Sequence, residues 1–324
     1  MKGLPLPLSG ITVIAIEQAV AAPFATRQLA DLGARVIKVE RTGSGDFARD
    51  YDGRVKGISS YFAWVNRSKE SISLDLKKPQ AKLVVDALLD RADVFVQNLA
   101  PGAAARLGWG AEEVRATRPS LIACDLSGYG SSGPYVDKKA YDLLVQCEAG
   151  LLSITGTPEH LVKVGISVAD IAGGMYAYSA ILTALFHRER TGAGVAIEIS
   201  LFDALTEWMG HPIYHTLYSG EPPPRTGSRH ATIAPYGSFM TGDGHEVQLG
   251  IQNDREWRRF CDLVLVQPQL VDDPRFATNA SRVEHHETLA AAIEEVFLAL
   301  PSRRCCAAWT RPRSPTPGST ASPT

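Results

Sequence analysis

The chain has 324 residues, 45% of them hydrophobic and 21% charged, with 35 acidic against 33 basic side chains and a net charge of −2. That composition excludes a disordered polymer, and the length allows two domains, each with its own core. Charges of both signs are spread along the chain, which excludes a basic stripe for nucleic acid or a cationic face for a membrane and leaves a small molecule as the expected partner.

Ile11 to Glu17 reads as a buried strand, Ala22 to Asp31 as a helix with Pro23 in its first turn, and Gly33 as the stop. Ala34 to Glu40 is then a second strand. The alternation continues with a strand from Ser71 to Leu76, a proline-opened helix from Pro79 to Arg91, and strands from Asp93 to Gln97 and Leu121 to Leu126. Alternating strands and helices predict an α/β fold with a Rossmann-like, doubly wound parallel sheet.

Ser127 to Pro134 carries three glycines and a proline directly after a strand, so it is expected as a loop at the carboxyl edge, where ligands bind in such sheets. Asp170 precedes an apolar periodic run from Ile171 to Phe186 and is expected as a helix N-cap, with Thr191-Gly192 as the stop. Val195 to Ile199 reads as a strand and Phe202 to Met209 as a helix. Ser219 to Arg229, with three consecutive prolines, reads as a linker. Glu246 to Gly250 is an expected strand, Asp254 to Leu263 a helix capped by its own aspartate, and Glu287 to Leu300 a further helix. The expected organisation is a large domain over 1–200, a linker helix and Pro-rich connection over 201–229, a smaller α+β domain over 230–300 and an irregular tail over 301–324.

The cysteines Cys124, Cys147, Cys261, Cys305 and Cys306 show no metal or disulfide spacing and are expected as reduced thiols, the first three as apolar filler. The histidines offer no HExxH pair, and adjacent His285-His286 point about 100° apart on a helix, so no metal is expected. No basic start leads into an apolar run and cleavage site, and no apolar stretch reaches the roughly 20 residues that span a bilayer, so a cytoplasmic location is expected.

Several stretches in order resemble the class III CoA-transferase family, also called the CaiB/BaiF family, over Leu8 to about Leu300. They are Ala30 to Arg41, Asn66 to Lys69 leading into Leu74 to Lys77, Gln97 to Gly102 with Arg106-Leu-Gly108, Gly128-Tyr-Gly130, and Tyr141-Asp142 before Gln146. The resemblance implies an interlocked homodimer, acyl-CoA and a small carboxylic acid as substrates, and no permanently bound cofactor. It implies Asp170 as a nucleophile that attacks a thioester without a general base, since a carboxylate is ionised at pH 7. A helix N-terminus is expected to keep it so. Coenzyme A would be held by Arg41, by Leu74, Asp75, Leu76 and Lys77, by Asn98, Leu99 and Ala100, by Arg106, and by Lys139, Ala140, Tyr141 and Asp142.

Val20 stands where the family's formyl-CoA enzymes carry a glutamine, which argues against oxalate as acceptor. Gly227 to Gly237, with Glu207-Trp-Met-Gly210 before it, is closer to members acting on C4 and C5 dicarboxylic acids, and Arg229 and His230 could then meet a distal carboxylate. Three other readings compete. A 2-methylacyl-CoA racemase would need a histidine where Tyr141 stands, and a phenol of pKa near 10 is a poor base for proton shuttling. A nucleotide-linked oxidoreductase would need Gly-x-Gly-x-x-Gly after the first strand, where Gln18 to Pro23 has no glycine. An inactive relative is the third, because Arg304 to Arg313 has the composition of GC-rich codons read one base out of register. The corresponding expectation is a frameshifted, truncated form of a longer natural chain.

Overall fold

In the computed structural model, which describes residues 4–310, the chain divides into two compact units. The first comprises residues up to Ile154 and Val162–Pro222; the second comprises Thr155–Leu161 and the chain from Pro223 onward. The short Thr155–Leu161 excursion leaves no sequence signal, because it is fixed by contacts with the later chain: Gly227 N–H donates to Gly156 O at 2.7 Å.

Six parallel strands build the first unit: β1 (Thr12–Ile16), β2 (Arg35–Glu40), β3 (Lys69–Ser73), β4 (Val94–Gln97), β5 (Ile122–Ser127) and β6 (Ala196–Ser200). Their spatial order, β3-β2-β1-β4-β5-β6, is that of a doubly wound dinucleotide-type sheet. Side chains alternate along each strand, so Val13 and Ala15 face one layer while Ile14 and Ile16 face the other. The helices of this unit are α1 (Ala21–Asp31), α2 (Ser60–Asn66), α3 (Pro79–Leu89), α4 (Ala103–Arg106), α5 (Ala111–Thr117), α6 (Asp142–Glu148), α7 (Leu151–Ile154), α8 (Val168–Thr191), α9 (Leu201–Trp208) and α10 (Gly210–Ser219). α1 and α8 cover the face built on Val13 and Ala15, while α3 and α5 cover the opposite face with Val85, Leu89 and Val114.

α8 corrects two sequence expectations. Ser167, not Asp170, is its N-cap, and Asp170 lies in the first turn. It has 24 residues and an 18-residue window of mean hydropathy 1.3, so by length and composition it could cross a membrane, contrary to the reading that no stretch is long enough. Its apolarity has a local use: Ala169, Ala177 and Ile181 are fully buried in the core they share with α1 and the sheet, and Ala172 is fully buried as well. Close approach requires Gly174, where a β-carbon would stand 2.6 Å from Ala21 O.

The second unit holds an antiparallel pair, β7 (Tyr236–Met240) and β8 (Glu246–Gly250), with α11 (Asp254–Phe260), α12 (Asn279–Glu284), α13 (His286–Leu298) and α14 (Ser302–Thr310). Its core gathers Phe239, Trp257, Phe260, Phe276, Ile293 and Phe297. The Asn253 side chain, not Asp254, caps α11 by accepting Glu256 N–H at 2.9 Å. β7 went unread because Pro235 and Gly237 interrupt its pattern. Residues 302–310, expected as irregular, are helical, with Cys305 buried in this core; the rest of the expected tail lies outside the described residues. Cys124 and Cys261 are buried fillers whose thiols burial pushes up to about 12, whereas Cys147, expected as filler too, is exposed.

Candidate active site

A doubly wound sheet has its natural ligand site where the chain leaves in opposite directions from neighbouring strands, here between β1 and β4. A cleft of about 880 Å³ opens there. It is lined by Gln18–Ala21 after β1, Asn98–Pro101 after β4 and Leu126–Gly128 around the end of β5, and Asp170 in the first turn of α8 faces it.

Asp170 is partly sheltered, and its carboxyl is pushed up to about 7, first by burial and then by the neighbouring Asp142 carboxylate. This corrects the expectation that a helix N-terminus keeps Asp170 fully ionised: desolvation and a like charge outweigh the dipole. Asp142 occupies the first position of α6 and takes over the capping role, with Oδ1 accepting Ala169 N–H at 2.8 Å and Asp170 N–H at 3.4 Å. Its Oδ2 accepts from the Gln146 amide at 2.7 Å, and Gln146 Oε1 accepts Val164 N–H at 3.0 Å. The segment that enters α8 is thereby tied to α6.

Of the residues expected to hold coenzyme A, Asn98, Leu99, Ala100, Lys139, Ala140, Tyr141 and Asp142 line this cleft. Lys139 Nζ lies 5.1 Å from the centre of the Tyr141 ring. Arg41 adjoins the wall, donating to Gln18 Oε1 at 2.7 Å. Leu74, Asp75, Leu76 and Lys77 follow β3, where Leu74 N–H donates to Glu40 O at 2.8 Å, and Arg106 ends α4; these five belong to the same strand-end edge of the sheet but not to the cleft lining. Arg229 and His230 lie in the second unit, on the exposed loop before β7, where the His230 ring centre is 5.3 Å from that of Tyr236.

Sequence reading missed an aromatic wall. Phe47, Tyr51 and Tyr61 line the cleft, with Tyr51 and Tyr61 meeting edge to face at 5.5 Å. Burial, followed by the Asp170 charge, pushes the Tyr51 phenol up. It also missed Lys163 and Ser167, which precede α8. None of these carries a spacing or composition signal; the loops that bring them in are set by tertiary contacts. Among the described residues no group of histidine, cysteine, aspartate or glutamate side chains is arranged to hold a metal.

The model of CoA-transferase family III matches residues 8–316. The chain belongs to that family. As a family III chain it is 40% identical to the succinate–glutarate CoA-transferase of Agrobacterium fabrum over 288 residues, 86% of this chain and 71% of the relative. It is 38% identical to the acetyl-CoA:oxalate CoA-transferase of Acetobacter aceti over 298 residues, 91% of this chain and 76% of the relative. A crystal structure of a CaiB/BaiF family protein from Brucella suis superposes with a TM-score of 0.82 at 33% identity, covering 94% of this chain and 82% of that one. Membership makes the Rossmann-like reading of the sheet specific, and CoA thioesters are the substrates of CoA transferases.

Proposed function

We propose that this family III chain moves coenzyme A between an acyl-CoA donor and a C4 or C5 dicarboxylic acid, with Asp170 as the covalent carrier. The observation that supports this most is the placement of Asp170: a partly desolvated carboxyl at the strand-end cleft, held by an N-terminal helix turn whose amides Asp142 already occupies. A carboxylate stripped of part of its water is a better nucleophile than a solvated one.

Asp170 attacks the thioester carbonyl, the C–S bond breaks, and a mixed anhydride and CoA thiolate form. The thiolate then attacks the Asp170 acyl carbon, releasing the donor carboxylate and leaving an aspartyl-CoA thioester. An acceptor carboxylate repeats both steps in reverse, regenerating Asp170 and a new acyl-CoA without net proton uptake or loss of thioester energy to water. Lys139 and Tyr141 at the cleft, with Arg41 and Arg106 on the same edge of the sheet, supply charge and an aromatic face for the nucleotide part of the substrate. The dicarboxylate reading is supported by the relative that acts on succinate and glutarate and by Val20 in place of glutamine.

The test is incubation with succinyl-CoA and a panel of glutarate, mesaconate, citramalate, itaconate, malate and oxalate, read by mass spectrometry of the CoA products. Transfer to one or more C4 or C5 acids, with oxalate the poorer acceptor, is the expected result. Exclusive transfer to oxalate would overturn the acceptor assignment, and CoA release to water without transfer would overturn the reaction class.

A further inference from the structure

The turn from β1 into α1 is held against its own backbone preference. Ala19 has φ +61°, the left-handed region in which a β-carbon is strained and from which alanine gains nothing. Gln18, Ala19 and Val20 nevertheless line the cleft that contains Asp170. The backbone of Glu17, Gln18 and Ala19 is pinned by side chains from elsewhere. Lys38 Nζ donates to Glu17 O at 3.1 Å, Asn98 both accepts Gln18 N–H and donates to Gln18 O at 2.9 Å, and both Asp46 oxygens accept Ala19 N–H, at 3.0 and 3.2 Å.

Behind this turn lies a balanced set of buried charges. Asp46 accepts from Lys38 Nζ at 2.8 Å, and the Asp46, Lys38 and Glu17 side chains are almost fully buried. Glu17 in turn accepts from Lys69 Nζ at 2.6 Å and Thr26 Oγ1 at 2.7 Å, while Lys69 also donates to Pro23 O at 3.0 Å, gripping the first turn of α1. A well-packed apolar cluster would stabilise a fold at least as well as buried ion pairs. What the charges add is direction: Lys38, Asp46 and Lys69 each fix a particular peptide group on the strand end or the helix start, and Glu17 holds the two lysines in place.

Building on the reading of the cleft as the transfer site, we propose that Asp46 is a positioning residue for the reaction. Backed by Lys38 and the Glu17–Lys69 pair, it holds Ala19, at the centre of the Gln18–Val20 turn, in the left-handed conformation that shapes the wall the reacting acyl group meets. Asp46 touches no substrate itself; its effect passes through the Ala19 peptide.

The experiment compares Asp46→Asn, Asp46→Asn with Ala19→Gly, and Ala19→Val by kcat, KM and free-CoA binding. Asp46→Asn is expected to lower kcat about tenfold while KM for acyl-CoA and CoA affinity change by less than about threefold, the signature of lost transition-state positioning. Glycine at 19 enters φ +61° without strain, so the double variant is expected to recover kcat at least about threefold over Asp46→Asn. Ala19→Val leaves every charge in place and raises the backbone strain at this residue of the cleft wall, so it is expected to lower kcat, and it carries the test if Asp46→Asn does not fold. A kcat for Asp46→Asn within twofold of wild type, no recovery in the double variant, or an unaffected Ala19→Val would each overturn the proposal. A wild-type chain that transfers CoA to no acceptor would instead overturn the reaction assigned above.

Discussion

Asp142 Oδ1 accepts the backbone N–H groups of Ala169 and Asp170 at 2.8 and 3.4 Å, so the first residue of α6 caps the helix turn that carries the proposed nucleophile. One carboxylate thus does two things to its neighbour. It fixes where Asp170 sits, and its negative charge adds to burial in raising the pKa of Asp170 to about 7.

The Asp170 carboxylate must be ionised to attack, so kcat/KM is expected to rise with pH through about 7 and to fall about tenfold per unit on the acid side. A profile flat from pH 5 to 8 would show that Asp170 titrates well below this range.

Asp142→Asn keeps an oxygen for the α8 amides and removes the charge. The acid limb of the profile should move below 7, yet stay above the usual carboxylate value of 3.8, because burial is the larger cause. An unmoved limb would assign the shift to burial alone.

Asp170→Ala and Asp170→Asn should abolish transfer while coenzyme A still binds, and hydroxylamine added with acyl-CoA should modify Asp170 in the wild-type chain. Near-normal turnover in either variant would remove the nucleophile. The variants also report on stability. A carboxyl whose pKa is higher folded than unfolded costs folding free energy when it ionises, a cost absent below about pH 4 and complete above about pH 7. Thermal melts should therefore find Asp170→Asn more stable than wild type at pH 8, by about 1–2 kcal/mol once partial exposure is allowed for, and no more stable at pH 3.5.

Gly174→Ala would drive a methyl group to 2.6 Å from Ala21 O and 2.9 Å from Phe24 Cδ1. Denaturant unfolding should show a loss of about 1–3 kcal/mol, because backbone on α1 cannot yield as a flexible side chain could. A neutral result would mean that the α1–α8 seam is looser than its packing.

Arg106 is exposed, with Nη2 3.4 Å from Pro101 O, and does not line the cleft that holds Asp170. Arg106→Ala should raise KM for acyl-CoA roughly 3- to 10-fold with kcat little changed, as loss of the proposed phosphate contact would act on ground and transition state alike. A fall in kcat at constant KM would move Arg106 to the reacting centre.

Periodicity and punctuation in the sequence were enough for the parallel sheet, because each buried strand is a short apolar run bounded by helix caps and stops. β1, β2, β4, β5, β6 and β8 fall within a residue or two of their expected spans. The stretches resembling family III were enough for membership, since their order survives over most of the chain. Local pattern could not decide the cap of α8, because Asp142 is 27 residues away from Ala169 in sequence. Nor could it foresee Lys38 buried within β2, whose charge is tolerable only once Asp46 arrives from the following loop. The sign of the Asp170 shift belongs to the same class. A sequence gives a carboxyl its ordinary pKa, whereas desolvation and a like-charged neighbour exist only when the tertiary fold brings α6, α8 and the strand ends to one cleft.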